Sequence, residues 1–133
     1  MQVGKVMSAV TAVVGPEHTL RQAAERMVQH NTGAAIVMDN SLPGPHVITE
    51  RDLLHAVAAG LNVETQRVSD HMNNAVITAA PTWSIARAAE LMVSHGVRHV
   101  LVFDAGELVG VLSMRDVVRT GIVTPNSMAV ESA

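Results

Sequence analysis

Two short runs place a hydroxyl three residues ahead of a carboxylate: Thr49-Glu50-Arg51-Asp52 and Ser113-Met114-Arg115-Asp116. At a helix start this spacing has two readings. The hydroxyl and the carboxylate can accept the free N–H groups of the first turn, as a capping box with Asp in place of Glu. The same geometry can serve a ligand. An Asp in the first turn can accept both hydroxyls of a ribose, and a hydroxyl beside a helix N-terminus favours a phosphate. Ahead of Ser113, Gly110 would let the backbone come close to a ligand, and Val111 offers an apolar wall for a purine face. The spacing leaves both readings open.

Other chemistry has less support. Seven histidines in a chain without cysteine raise the question of a metal. His30 and His95 fall at equivalent helix C-termini, where a cation suits the dipole. His95 and His99 are four apart, but Gly96 interrupts the helix that would align them. His46, His55 and His71 are the least explained, and no H-E-x-x-H set exists, so no metal ligands are expected. Met27 and Met92 belong to apolar helix faces and are most simply core. There is no nucleophile elbow, P-loop or dinucleotide fingerprint. No catalytic residue is predicted, and the chain does not read as an enzyme.

The elements that position these residues occur twice. At an offset of 65 (7 to 72), residues 7–40 fall on 72–105: Met7 on Met72, Pro16 on Pro81, Ala23-Ala24-Glu25 on Ala88-Ala89-Glu90, Asp39 on Asp104. At an offset of 64 (47 to 111), Val47-Ile48-Thr49 through Asp52 fall on Val111-Leu112-Ser113 through Asp116. Each copy reads as β-α-β-β-α. Val10–Val14 is a short β-branched stretch ending at Gly15-Pro16. Thr19 and Gln22 form a capping box ahead of Leu20, Ala23, Ala24, Met27 and Val28, which predict a helix with one apolar face. Ala34–Met38 is an unbroken apolar run, expected of a strand buried on both faces. Val47-Ile48 is a second strand, and a helix runs from Thr49 to about Ala59. In the second copy these become an extended stretch over 75–79, a helix capped by Ser84 and stopped by Gly96, strands Val100–Phe103 and Leu108–Leu112, and a helix opened by Ser113. The fold class is therefore α/β (α+β), with two repeats packed by pseudo-two-fold symmetry. Residues 1–60 are the first repeat, 61–71 a connector with a helical turn near Val68–Met72, 72–123 the second repeat, and 124–133 a flexible tail.

Composition narrows the function. With 48% hydrophobic and 16% charged residues the chain is not disordered. It has more apolar surface than a monomer of 133 residues can hide, which predicts a homodimer or similar oligomer. A net charge of −3, no basic run and 2% aromatics argue against nucleic acid. Without cysteine there are no disulfides or thiolate sites, and no apolar run approaches a membrane span. A cytoplasmic protein with no membrane partner is expected.

The pattern resembles the CBS domain, named for cystathionine β-synthase, in the tandem pair called a Bateman module. It is carried by Val6-Met7-Ser8, Pro16…Thr19-Leu20…Ala23-Ala24…Met27, the strand ending in Asp39, and Thr49-x-x-Asp52. The second copy supplies Met72, Pro81…Ser84-Ile85…Ala88-Ala89…Met92, His95-Gly96-Val97-Arg98-His99, and Gly110-Val111-Leu112-Ser113-Met114-Arg115-Asp116. The resemblance covers residues 3–120. It implies a stand-alone regulatory binding module, with no required cofactor, that senses an adenosine compound such as AMP, ADP, ATP or S-adenosylmethionine and influences a regulated protein of unknown identity. It also implies up to two clefts between the repeats, and dimers.

By the same resemblance, Asp116 contacts ribose beside Ser113 and Val111, Arg98 reaches phosphate, and Ser8, Val10 and Thr11 line the base pocket through main-chain groups. A second, weaker site would use Asp52 and Thr49 with Asn73, Ala75 and Val76. There His46 replaces the glycine, and Gly33 and Ala34 replace Arg98 and His99, so that site is expected to be empty or to take a less charged adenosine ligand. The alternative is a ligand-independent dimerisation or scaffold module with vestigial clefts.

Overall fold

The computed structural model describes residues 1–10, 12–73 and 77–121. The chain divides into two compact units. The central unit spans Thr11–Val76; the composite unit joins Met1–Val10 to the chain from Ile77 onward. Each holds one three-stranded sheet, in the same strand order.

In the central unit β1 (Val13–Val14) pairs parallel with β2 (Ala34–Val37), which pairs antiparallel with β3 (His46–Thr49). Parallel neighbours need a crossover, and α1 (Leu20–Gln29) supplies it. α2 (Glu50–Ala58) follows β3 directly. The composite unit repeats the order with β4 (Thr78–Ala79), α3 (Ile85–His95), β5 (His99–Asp104), β6 (Glu107–Ser113) and α4 (Met114–Arg119). The register is repeated as well. Val13 faces Ile36 as Thr78 faces Leu101, and Ala34 faces Thr49 as His99 faces Ser113.

Four of the five residues of the expected run form β2 and are buried, as the composition predicts, but Met38 lies past the end of the strand and is 46% exposed. Beneath β2, Leu20, Ala23 and Met27 of α1 are buried with Val14, Val37, Ile48 and Ala56. Val28 departs from expectation, being 80% exposed. The inward stripe of α1 is narrower than that of α3, which buries Ile85, Ala88, Ala89 and Met92. Thr19 caps α1 by the expected box, accepting from Gln22 N–H at 3.2 Å while Gln22 Oε1 accepts from Thr19 N–H at 2.9 Å. In the β2–β3 connection the Ser41 N–H donates to Asp39 Oδ1 at 2.7 Å and holds that carboxyl below its usual range.

The stretch 61–71 is more than a connector. Val68, in a 3-10 turn over Val68–Asp70, is fully buried in the central core. Its N–H donates to His18 O (2.8 Å), Ser69 N–H donates to Pro16 O (3.0 Å), and Gln66 O accepts from Leu20 N–H (3.0 Å). The N-terminus does the same in the composite unit. Val3, in a 3-10 turn over Val3–Lys5, is fully buried. Val3 N–H donates to Trp83 O (2.9 Å), Gly4 N–H to Pro81 O (2.9 Å), and Met1 O accepts from Ile85 N–H (3.1 Å). Each unit thus has a strap, residues 1–8 or 66–73, seated on the body of one repeat. The spatial grouping cuts across the sequence repeats, since residues 1–10 lie with the second copy. The expected tail, 124–133, lies outside the described residues. No helix among those described is long and apolar enough to cross a membrane.

Candidate functional site

In the composite unit hydrogen bonds set five of the expected residues, Ser8, Arg98, Val111, Ser113 and Asp116, around the junction of β6 and α4. β6 alternates, so buried Leu112 points into the core while half-buried Val111 and Ser113 point away from it. The strap lies along this strand, with Ser8 and Val111 exchanging both backbone hydrogen bonds at 2.9 Å. Ser113 caps α4 by the expected box: its Oγ accepts from Asp116 N–H and Asp116 Oδ2 accepts from Ser113 N–H, both at 3.1 Å. The box consumes one carboxylate oxygen. Asp116 is half-buried, and its Oδ1 has no partner among the described residues.

Arg98 is set beside this cap by the main chain, its carbonyl accepting from Met114 N–H at 2.8 Å. Its side chain is exposed and makes no ion pair with a described residue. A surface arginine neutralised by a nearby acid, the bland alternative, is not what is found. Val10 lies two residues past Ser8, half-buried; Thr11 lies outside the described residues.

Two expectations change. A Cβ at Gly110 would stand 2.7 Å from Met7 Sδ and 2.8 Å from Ser8 O. The glycine is needed for close approach of the protein's own strap. Val111 also engages both main-chain groups of Ser8, so its N–H is taken and its carbonyl keeps one lone pair for a ligand.

The central unit carries the same frame with different chemistry. Asp52 Oδ2 accepts three hydrogen bonds, from Thr49 N–H (2.8 Å), Thr49 Oγ1 (2.9 Å) and Asn73 Nδ2 (3.0 Å). Asn73 N–H also donates to Val47 O at 2.8 Å. His46, where the composite unit has Gly110, keeps its ring nitrogen Nδ1 3.0 Å from Asn73 O. A side chain is tolerated here because it ties down the strap that a Cβ on Gly110 would push away. Ala75 and Val76 lie outside the described residues.

One residue of this site escaped the sequence reasoning. Glu50 N–H donates to Gly33 O at 2.9 Å, as Met114 does to Arg98. A Cβ on Gly33 would be 3.0 Å from Glu50 Cδ and Oε1, so the carboxylate lies directly over residue 33. The signal was present in the paired offsets: the positions of Arg98 and Met114 are filled by Gly33 and Glu50.

Several of the histidines are engaged locally. His18 Nδ1 accepts from Gly15 N–H at 2.8 Å, His71 Nε2 lies 2.9 Å from Gln66 Oε1, and His95 Nδ1 lies 3.0 Å from Leu91 O. His30 and Gly96 are the C-cap residues of α1 and α3, and Gly96, at φ +65°, ends α3 between His95 and His99. No group of three or more His, Cys, Asp or Glu that could hold a metal is found among the described residues.

The sequence model of the CBS domain matches residues 3–59 and again 68–124. A CBS domain-containing protein of Bacillus subtilis is 33% identical over 129 residues, 96% of this chain and 86% of that one. Other curated relatives are longer, and the chain spans 62% and 52% of two of them. Among solved structures, a CBS-domain protein of Agrobacterium tumefaciens aligns with a TM-score of 0.83 and 31% identity over 92% of this chain and all of that one. A CBS domain protein of Pyrobaculum aerophilum, complexed with AMP, aligns with a TM-score of 0.78 and 30% identity over 99% of this chain and 98% of that one.

Proposed function

The chain belongs to the CBS-domain family, and on that premise we propose that its composite unit is a regulatory site for an AMP-, ADP- or ATP-like ligand. The observation that carries the reading is the divided use of Asp116: Oδ2 closes the helix cap while Oδ1 has no partner among the described residues, and Arg98, whose carbonyl holds the first N–H of the same helix, makes no ion pair with a described residue. Ribose hydroxyls donate to Oδ1, a charge-assisted contact. The Arg98 guanidinium meets the phosphate. Val111 and Val10 flank the purine, whose edge is left to the Ser8 hydroxyl and carbonyl and to the main chain at Val10. The AMP held by the Pyrobaculum relative supports this choice of ligand class.

Ligand occupancy alters a surface read by a regulated protein, by no more than the ligand's differential affinity for the two arrangements of the module allows. The protein works as a homodimer. Val28, Leu54, Val57 and Leu61, all in the central unit, are 80%, 66%, 59% and 39% exposed and supply apolar area for the contact.

The test is calorimetric titration with adenosine, AMP, ADP, ATP and S-adenosylmethionine. Wild type binds at least one nucleotide, and Asp116→Ala loses its tightest nucleotide-binding event. Arg98→Ala, which disturbs no described ion pair, weakens the nucleotide by about tenfold or more while leaving adenosine nearly unchanged. A ligand at 100 times its dissociation constant adds about 2.7 kcal/mol of stability, so melting gives an independent check. An intact wild-type dimer that responds to none of these compounds would establish the scaffold alternative.

A further inference from the structure

We infer that Glu50 is the specificity-determining residue of the central unit's site, closing it to phosphoryl groups and leaving it open to an adenosine ligand without phosphate. The inference rests on the family reading above and extends it to the second site.

The two units build this corner with the same hydrogen bond. The first N–H of the helix donates to the residue just ahead of the middle strand: Met114 to Arg98 O at 2.8 Å, Glu50 to Gly33 O at 2.9 Å. That bond makes the two side-chain positions neighbours in both units. In the composite unit they hold a guanidinium and a thioether. In the central unit one position has no side chain, and the Glu50 carboxylate fills its space, 3.0 Å from where a Gly33 Cβ would stand. The carboxylate covers the point from which the cation departs in the other unit.

The exchange removes one cation and adds one anion. Arg51 and Arg115 occupy equivalent positions and do not alter the difference. The sugar-binding chemistry is retained, because Asp52 is half-buried and Oδ1 has no partner among the described residues while Oδ2 takes Thr49 and Asn73. Only the phosphate end has reversed its sign. A phosphomonoester meets repulsion from Glu50, whereas a nucleoside, or an adenosine whose 5′ substituent is neutral or positively charged, meets none. Because Glu50 is exposed, the discrimination is about tenfold at low salt and shrinks as salt rises.

The experiment uses the full chain carrying Asp116→Ala, so that only the central site is read. Adenosine binds this variant, and AMP binds about tenfold more weakly. Adding Glu50→Gln, which keeps the side-chain shape, tightens AMP by about the same factor and shifts adenosine by less than about twofold. Salt narrows the AMP–adenosine gap when Glu50 is present and leaves it unchanged with Gln. Installing the composite pair, Gly33→Arg with Glu50→Met, makes AMP the tighter ligand. Equal affinities in the Asp116→Ala chain, or equal shifts of both ligands on Glu50→Gln, would overturn the assignment. Failure of Asp116→Ala to bind either compound overturns it too, whereas the composite-site reading falls if wild type binds no nucleotide or if Asp116→Ala binds it as tightly as wild type does.

Discussion

Gly110→Ala isolates the contact that seats the N-terminal strap. The new methyl would lie 2.7 Å from Met7 Sδ and 2.8 Å from Ser8 O. The thioether can swing aside. The carbonyl cannot, because Val111 N–H holds it at 2.9 Å and Ser8 N–H returns a bond of the same length. The variant must strain or break this pair. Overpacking costs about 1–3 kcal/mol and each weakened bond about 1 kcal/mol, so a loss of about 2–4 kcal/mol is expected. For 133 residues this lowers the melting midpoint by about 8–15 °C. Trp83, the single tryptophan, accepts Val3 N–H from the same strap, so its fluorescence reports the event. Met7→Ala in the same chain should rescue little, since the carbonyl remains. His46→Ala is the matched control: it keeps a Cβ at the equivalent position, loses one hydrogen bond, and should cost about 1 kcal/mol. A Gly110→Ala protein within about 0.5 kcal/mol of wild type, or a His46→Ala protein equally damaged, would refute the reasoning.

Val3→Ala and Val68→Ala remove equivalent, fully buried side chains and should each cost about 2 kcal/mol in urea unfolding; a neutral Val3→Ala would mean that the N-terminus is not part of the core. Ser113→Ala and Thr49→Ala each delete a helix cap, at about 1 kcal/mol apiece by thermal melting, with Thr49 the costlier because its hydroxyl also donates to Asp52 Oδ2 at 2.9 Å. Leu54→Ser with Val57→Ser, at 66% and 59% exposure on one side of α2, should leave the fold intact and convert a dimer to a monomer in sedimentation velocity. A monomeric wild type would defeat that assignment.

What could be read in the sequence was what side chains decide. The doubled Ala-Ala-Glu and the apolar runs at 34–38 and 100–103 mark surfaces that must face a core, and those elements lie where the pattern puts them, except that Met38 ends up exposed past the strand. Val28 was misplaced because periodicity gives the direction of a helix face but not its width. Of the expected strand over 10–14, the described part that pairs with β2 is Val13–Val14. The straps were nearly invisible. Between residues 1–7 and 66–72 only Val3/Val68 and Met7/Met72 are identical, because main-chain bonds that any residue can make do most of the seating. At the site, hydroxyl and carboxylate were legible as a pair. The open oxygen of Asp116, the Asn73 amide on Asp52 and the Glu50 carboxylate over Gly33 depend on how separate segments meet, which spacing along the chain does not encode.

The divided origin of the composite unit sets an order of events at the ribosome. Every residue of the central unit is made in one stretch, Thr11–Val76, and that unit can close as soon as its chain emerges. Residues 1–10 are made ahead of the central unit and find their hydrogen-bonding partners only after it, once Pro81, Trp83 and Val111 have been added. Waiting so long costs little in loop entropy, which grows only with the logarithm of length, but it leaves Val3 uncovered throughout. Moving these ten residues to a position just ahead of Ile77 would shorten that wait, and the composite half should then refold sooner relative to its neighbour.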